Sequence, residues 1–256
     1  MKILFIGDIF GSPGREKIAT HLPKIIEKED IFFTIAQGEN LAGGIGITEN
    51  TAVEMFKTGV DCITTGNHVW KHKEVLSYLD GETRLLRPAN FPEGVPGHGY
   101  YVYEKQGVKV GVTNLQGRVF MKPLDDPFAV GKRIIEEMSK ETRNIFVDVH
   151  AEATSEKRAL GLYLAGFVTA VIGTHTHVQT ADEQIINGRT AYITDVGMVG
   201  SLDSIIGNRK EEIIEHFLLS VPRKFVAAKE NVVANCVIID FDEKTGVAKS
   251  ITRYNF

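Results

Sequence analysis

A series of short apolar runs, each ending at a polar or glycine-bearing corner, constrains this chain more than any other feature. Ile3–Ile6 precedes Gly7-Asp8, Ile31–Ala36 precedes Gly38-Glu39-Asn40, and Cys62–Thr65 precedes Gly66-Asn67-His68. Further on, Val108–Thr113 precedes Asn114, Ile145–Val149 precedes His150, and Val168–Ile172 precedes Gly173-Thr-His175-Thr-His177. Continuous apolar, β-branched runs of this length suit strands buried on both faces, which requires helices to cover the sheets.

Helical patterns lie between the runs. Residues 14–28 place Ile18, Leu22, Ile25 and Ile26 on one face, with Pro23 expected to kink or divide the helix. Thr48 is expected to cap a helix that runs to Lys57, with Gly59 behind it as a stop. Segments 127–141, 154–165 and 209–220 read as further amphipathic helices, so the first half alternates as βαβ units do. The last third changes character. Glu183–Ile186, Asn187-Gly188 and Arg189–Thr194 predict a hairpin with a type I′ turn, and Val232–Phe241 with Val247–Tyr254 predicts a second antiparallel pair. No repeat or Pro/Gly/Ser-rich linker interrupts the chain, so residues 1–256 are expected to form one α/β domain.

Composition narrows the partners. A formal charge of −4 argues against a broad basic surface for duplex nucleic acid and leaves room for a small phosphate-bearing substrate. The two cysteines, Cys62 and Cys236, sit inside apolar runs and are expected to be reduced core thiols. The apolar run at the N-terminus is too short for a signal peptide or a membrane span, so the expected setting is the cytoplasm, with no membrane partner.

The corners collect Asp8, Glu39, Asn40, Asn67, His68, His150, His175 and His177. In open α/β sheets ligands bind at the carboxyl ends of strands, where such groups converge. Leaving His68 aside, three imidazoles, two carboxylates and two amide oxygens, with no thiolate among them, suit metal ions with borderline and hard preferences. Two ions sharing a carboxylate use that many ligands sensibly. Asp8 and Glu39 would then leave about +2 of charge, which favours an anionic phosphate ester. His175 and His177 are expected to project to the same side of an extended segment. His21, His72, His98 and His216 lack such company and read as surface or packing residues. Leu41–Thr48 holds Gly43, Gly44 and Gly46 ahead of a helix N-terminus, a candidate phosphate cradle, with a surface turn as the alternative. Trp70 reads as packing, and Thr154 or Ser155 as a helix cap.

These motifs, in this order, resemble the calcineurin-like metallophosphoesterases. The fuller resemblance is to the bacterial YmdB-like branch, carried by Gly7-Asp-Ile-Phe-Gly-Ser-Pro-Gly-Arg15, Gly38-Glu-Asn40, Leu86-Arg-Pro-Ala-Asn-Phe-Pro92, Asp148-Val-His-Ala-Glu-Ala-Thr-Ser-Glu-Lys157 and Asp195-Val-Gly-Met198. It implies a four-layer αββα sandwich, two mixed β-sheets flanked by helices, with a dinuclear metal centre. One ion would take Asp8, Glu39, Asn40 and His177, the other Glu39, Asn67, His150 and His175, so that Glu39 bridges. The implied reaction is hydrolysis of phosphodiesters such as 2′,3′-cyclic nucleotides by a metal-bridging hydroxide, with His68 as general acid. Iron is the favoured metal, and manganese, zinc and nickel also suit the donors. The alternatives are a phosphomonoesterase or protein phosphatase with the same centre, or a nucleotide-binding regulator with slow turnover. A homo-oligomer is compatible with this picture.

The chain departs from the wider superfamily at four places. Phe10 stands where the opening motif usually has a histidine, with Asn40 the expected compensation. Ala42 and Gly43 replace an acidic residue and an arginine, and Val69 replaces an acidic residue after the Asn-His pair. His68 therefore lacks its customary orienting partner.

Overall fold

The computed structural model describes residues 1–256. Along the chain run β1 (Lys2–Ile6), β2 (Asp8–Ile9), α1 (Gly11–Glu29), β3 (Ile31–Gln37), α2 (Glu49–Lys57), β4 (Cys62–Thr64), α3 (Val75–Gly81) and β5 (Leu85–Leu86). Next come β6 (Tyr100–Lys105), β7 (Val108–Gln116), α4 (Pro127–Met138), β8 (Ile145–His150), α5 (Thr154–Leu164), β9 (Ala170–Thr174), β10 (Gln184–Ile186) and β11 (Thr190–Ile193). The last elements are β12 (Met198–Ser201), β13 (Ser204–Ile205), β14 (Asn208–Arg209), α6 (Lys210–Leu219), β15 (Val232–Phe241) and β16 (Ala248–Asn255).

The strands form two large mixed sheets. One has the order β2-β12-β15-β1-β3-β4-β5, with β16 also paired to β15; the other has the order β10-β11-β9-β8-β7-β6. β1, β3, β4 and β5 run parallel, as do β7, β8, β9 and β11, while β15 and β6 are antiparallel additions. The apolar runs explain the stacking. In β1, Ile3 and Phe5 point between the sheets, while Leu4 and Ile6 join Ile18, Leu22, Ala52 and Met55 under the helices. In the second sheet Val110, Val112, Phe146, Ala170 and Ile172 face the first sheet, and Leu115, Val147 and Val149 meet Ile134, Met138 and Leu160 of the outer helices. Three apolar interfaces between four layers make the αββα sandwich. No helix is long and apolar enough to cross a membrane.

Local expectations hold with two corrections. Thr48 caps α2 through a reciprocal box with Thr51, and Asn187 and Gly188 both adopt positive φ in the β10–β11 turn. Cys62 and Cys236 are free and buried. α1, however, starts at Gly11 and continues through Pro23 as one helix. The ring removes one backbone donor, but Ile18, Leu22 and Ile25 remain buried on the same stripe, and that packing holds the helix together. At α5 the N-cap position is Ala153 with no side-chain cap, and Thr154 is already helical.

Candidate metal centre

The face of each strand that looks into the space between the sheets is apolar at its start and polar at its carboxyl end. Gln37 continues the row of Phe33 and Ile35, Thr64 that of Cys62, Asp148 and His150 that of Phe146, and Thr174 that of Ala170 and Ile172. The polar ends form one buried network. Asp148 accepts from Thr64 Oγ1 at 2.6 Å and from Thr174 Oγ1 at 2.7 Å. Gln37 donates to Thr65 O at 2.7 Å and to Asp148 at 3.3 Å, and its Oε1 accepts from the Glu39 N–H at 2.8 Å.

Above this layer lie the corner residues. His150 Nε2 is 3.1 Å from Glu39 Oε2, 3.1 Å from Asn67 Oδ1 and 3.0 Å from His175 Nδ1. The donor atoms of Glu39, His150 and His175 all lie within 4.8 Å of one another. Gly66 passes so close that a Cβ there would sit 2.2 Å from His150 Nε2. Asp8, fully buried, accepts the His175 N–H at 3.1 Å through Oδ2, while Oδ1 has no hydrogen bond and faces His177 Nε2 at 3.8 Å. Asn40 donates to Gly44 O at 3.0 Å, and its buried Oδ1 is also without a partner.

The outer nitrogens of the imidazoles decide what the inner ones can do. Thr174 Oγ1 gives its proton to the bond with Asp148, so it meets His150 Nδ1, 3.0 Å away, as an acceptor; Gln37 Nε2, which donates to Thr65 O, lies 3.0 Å from the same His150 nitrogen and 3.3 Å from Asp148. His177 Nδ1 lies 3.0 Å from Ile206 O, which only accepts, and His175 Nε2 lies 3.1 Å from Glu152 Oε2. His175 and His177 thus carry their protons outward and turn a lone pair inward, His175 toward His150 Nε2 and His177 toward Asp8 Oδ1, itself an acceptor. Acceptors facing acceptors repel unless a cation lies among them, and imidazoles oriented by outer hydrogen bonds are the usual surroundings of a bound metal. The donor set fits metal ions.

Electrostatics agree. Burial pushes the Asp8 carboxyl well above the usual carboxylate range. Burial also disfavours charge on Glu39, but His150 and His68 outweigh it and hold Glu39 well below that range. Burial works against a charged His150 too, yet Glu39, Asp8 and Asp148 together push it up to about 9. Burial, then His150, lowers His175 to about 3. The cluster attracts positive charge at one point and rejects a second proton beside it.

The seven expected ligands fall into two groups, Glu39 with Asn67, His150 and His175, and Asp8 with His177; Asn40 makes no side-chain hydrogen bond to either. The contacts of the Glu39 carboxylate are to His150 and to His68. Its Oε1 meets His68 Nδ1 at 3.1 Å, and its Oε2 accepts the His68 N–H at 3.2 Å. Glu39 is therefore the partner that Ala42 and Val69 leave His68 without.

His175 and His177 are not on an extended segment: β9 ends at Thr174, and the two residues have φ of 95° and 65°. Such left-handed backbone costs about 1–3 kcal/mol per residue and persists only when its surroundings enforce it. The enforcing group is Asp195, whose Oδ2 accepts from both the N–H and Oγ1 of Thr176 and from Lys157 Nζ at 2.6 Å, an ion pair buried on both sides. Lys157 and Asp195 lie in the motifs that carry the family resemblance, but nothing in their spacing assigns them this task.

The glycine-rich loop has a packing explanation at two positions. A Cβ on Gly44 would strike the Phe10 ring at 2.7 Å, and one on Gly46 would meet Lys71 at 2.7 Å; only Gly43 faces open space. The α2 N-terminus behind it is capped by Thr48 itself. Trp70 packs edge-on against Phe91, with centroids 5.3 Å apart.

Comparison with known proteins agrees with this architecture. The family described as YmdB-like protein matches residues 4–254. A 2′,3′-cyclic-nucleotide 2′-phosphodiesterase of Bacillus subtilis (strain 168) is 49% identical over 253 residues, covering 99% of this chain and 96% of that protein. Among solved structures, one from Thermus thermophilus is 40% identical with a TM-score of 0.93, covering 100% of this chain and 99% of its own. A structure described as a phosphatase, from Mycoplasma pneumoniae, is 33% identical with a TM-score of 0.94, covering 100% of this chain and 93% of its own. With near-complete coverage by family and fold alike, the chain belongs to the YmdB-like protein family.

Proposed function

We propose that this enzyme hydrolyses phosphodiesters, 2′,3′-cyclic nucleotides foremost, at a centre of two metal ions. The observation that carries the proposal is the convergence of Glu39, Asn67, His150 and His175, with Asp8 and His177 beside them, where the outer nitrogens of His175 and His177 are committed to acceptors and their lone pairs turn inward. Asp8, Asn40 and His177 would hold one ion and Asn67, His150 and His175 the other, with Glu39 shared. When bound, such ions act as Lewis acids that activate water and neutralise phosphoryl charge. Nitrogen and oxygen donors suit iron, the metal that the family resemblance favours, as well as manganese, zinc or nickel.

The chain's own contribution to bond cleavage is a proton for the leaving oxygen. His68 is next to Asn67 in sequence, is a third exposed, and is held through Nδ1 and its backbone N–H by Glu39. That arrangement supports His68 as general acid, a role typically worth about 10²–10⁴-fold. The His68→Ala protein should lose that factor in turnover while keeping its metal; loss of most metal with the activity would recast His68 as a ligand. Glu39→Ala should empty both sites and abolish turnover, and two tightly bound ions in that variant would refute the shared ligand. The Bacillus subtilis relative's name supports the cyclic diester as substrate.

A second reading, hydrolysis of phosphomonoesters at the same centre, is favoured by the description of the Mycoplasma pneumoniae structure as a phosphatase. Metal analysis of freshly purified protein, with turnover of a 2′,3′-cyclic nucleotide, bis(4-nitrophenyl) phosphate and 4-nitrophenyl phosphate under each metal, separates the two. Preference for the monoester by an order of magnitude or more would overturn the diester assignment.

A further inference from the structure

Gln116 ends β7 and pairs in register with His150 of the parallel neighbour β8. Side chains at paired positions of adjacent strands project from the same face. The Gln116 carboxamide therefore points, like the His150 ring, into the space between the sheets at the level of the metal ligands. The residue is 1% exposed, its buried Oε1 has no hydrogen-bond partner, and its amide nitrogen makes none either. Asn114, one pleat deeper, also has an orphan Oδ1, but its amide nitrogen is tied to Thr65 O.

The backbone that carries Gln116 is fixed with unusual completeness. Asn90, fully buried, accepts the Gln116 N–H through Oδ1 at 2.9 Å and donates through Nδ2 to Gln116 O at 2.8 Å and to Asp125 O at 3.0 Å. A side-chain amide thus clamps both polar groups of one peptide position, while the side chain it presents is left uncommitted. An uncompensated buried acceptor is costly to maintain, and such a group makes sense where something else supplies the donor.

We infer that Gln116 is a specificity-determining residue of this site, accepting a hydrogen bond from a hydroxyl or N–H of the nucleoside part of the substrate. The inference rests on the phosphodiesterase reading above. Its chemistry excludes the phosphoryl group as the partner of Oε1, because an ionised phosphodiester has acceptors only, whereas a nucleoside carries sugar hydroxyls and base N–H groups. Gln116 would then read the part of the substrate that the metal ions do not touch.

The test compares two diesters, a 2′,3′-cyclic nucleotide and bis(4-nitrophenyl) phosphate, which has no donor to offer. In Gln116→Met, which keeps length and removes the amide, KM for the cyclic nucleotide should rise about tenfold, with kcat, bound metal and all parameters for the synthetic diester nearly unchanged. Titration calorimetry with the corresponding 3′-nucleotide should show the same tenfold loss of affinity. Gln116→Glu, which retains acceptor oxygens, should recover part of the loss. Equal effects on both diesters, or a fall in bound metal, would assign Gln116 to the phosphoryl group or to the scaffold and overturn the inference. No effect on either substrate would show that the amide serves only solvent, and would overturn it as well. Failure of the wild-type protein to hydrolyse either diester would refute the underlying reading instead, so the two failures are distinguishable.

Discussion

Ile172 and Thr174 are two residues apart on β9, project from the same face and are both fully buried, yet they belong to different kinds of interior. Ile172 packs among Phe5, Phe146 and Ile193 in the apolar layer between the sheets. Thr174 donates to Asp148, accepts from His150 and faces no apolar cluster. One pleat, about 7 Å of strand, separates an interior held by area removed from water from one held by fully committed hydrogen bonds. The difference teaches where the protein places its chemistry. The apolar half is the platform, and the polar half needs it because ligands of the proposed metal centre must be fixed by something other than themselves.

The polar half leans on a buried charge pair, and removing it should produce the largest effect. Lys157→Met leaves Asp195 buried without its cation, a change worth about 3–5 kcal/mol and a fall in Tm of about 10 °C for a chain of this size. Bound metal should drop with it, because Asp195 holds Thr176 and thereby the left-handed backbone of His175 and His177. A Tm within about 2 °C of wild type, smaller than a 1 kcal/mol change would give, with full metal content would mean that the loop keeps its shape unaided.

Thr174→Val tests the hydrogen-bonded half with nearly constant volume. The change removes the acceptor of His150 Nδ1–H and one donor to Asp148. Loss of a hydrogen bond that orients a ligand typically lowers metal affinity about 10–100-fold. Chelator competition should show that drop, with a smaller stability loss of about 1–3 kcal/mol from the polar groups left unpaired. Unchanged affinity would break the tautomer argument on which the metal assignment leans.

The two halves are not equally legible in the sequence. The apolar half announces itself in runs such as Ile3–Ile6 and Ile145–Val149, and these yield the layers, because continuous burial on both faces has few architectural solutions. The corner residues are visible as well, since a polar group after an apolar run has an obvious place at a strand end. The supports of those residues are not. Gln37, Thr64 and Thr174 look like ordinary strand residues until the second sheet shows which face they share. Lys157 and Asp195 are 38 residues apart and meet only through the packing of α5 on β9. The backbone at His175 and His177 defeats an argument from strand periodicity, because a side-chain network, and no local preference, sets its φ. Assigning Glu39 wholly to metal conceals its contact with His68, which only the folded chain reveals.

Ile172→Val draws the boundary between the halves from the other side. The substitution removes one methylene from a fully buried side chain that lies in register with Asp148 and one pleat below Thr174. Within the apolar layer the loss should be that of an ordinary core trimming, about 0.5–1.5 kcal/mol. No member of the apolar cluster around Ile172 carries a side-chain hydrogen bond to a proposed ligand, so metal affinity and kcat should stay within about twofold of wild type, well short of a hydrogen bond's usual leverage on a ligand. A loss of metal affinity matching that of Thr174→Val would mean that strain crosses the pleat, and that the platform and the site are one mechanical unit. Preserved affinity with the expected small fall in Tm would establish that the fold can be trimmed below Thr174 without the centre registering it.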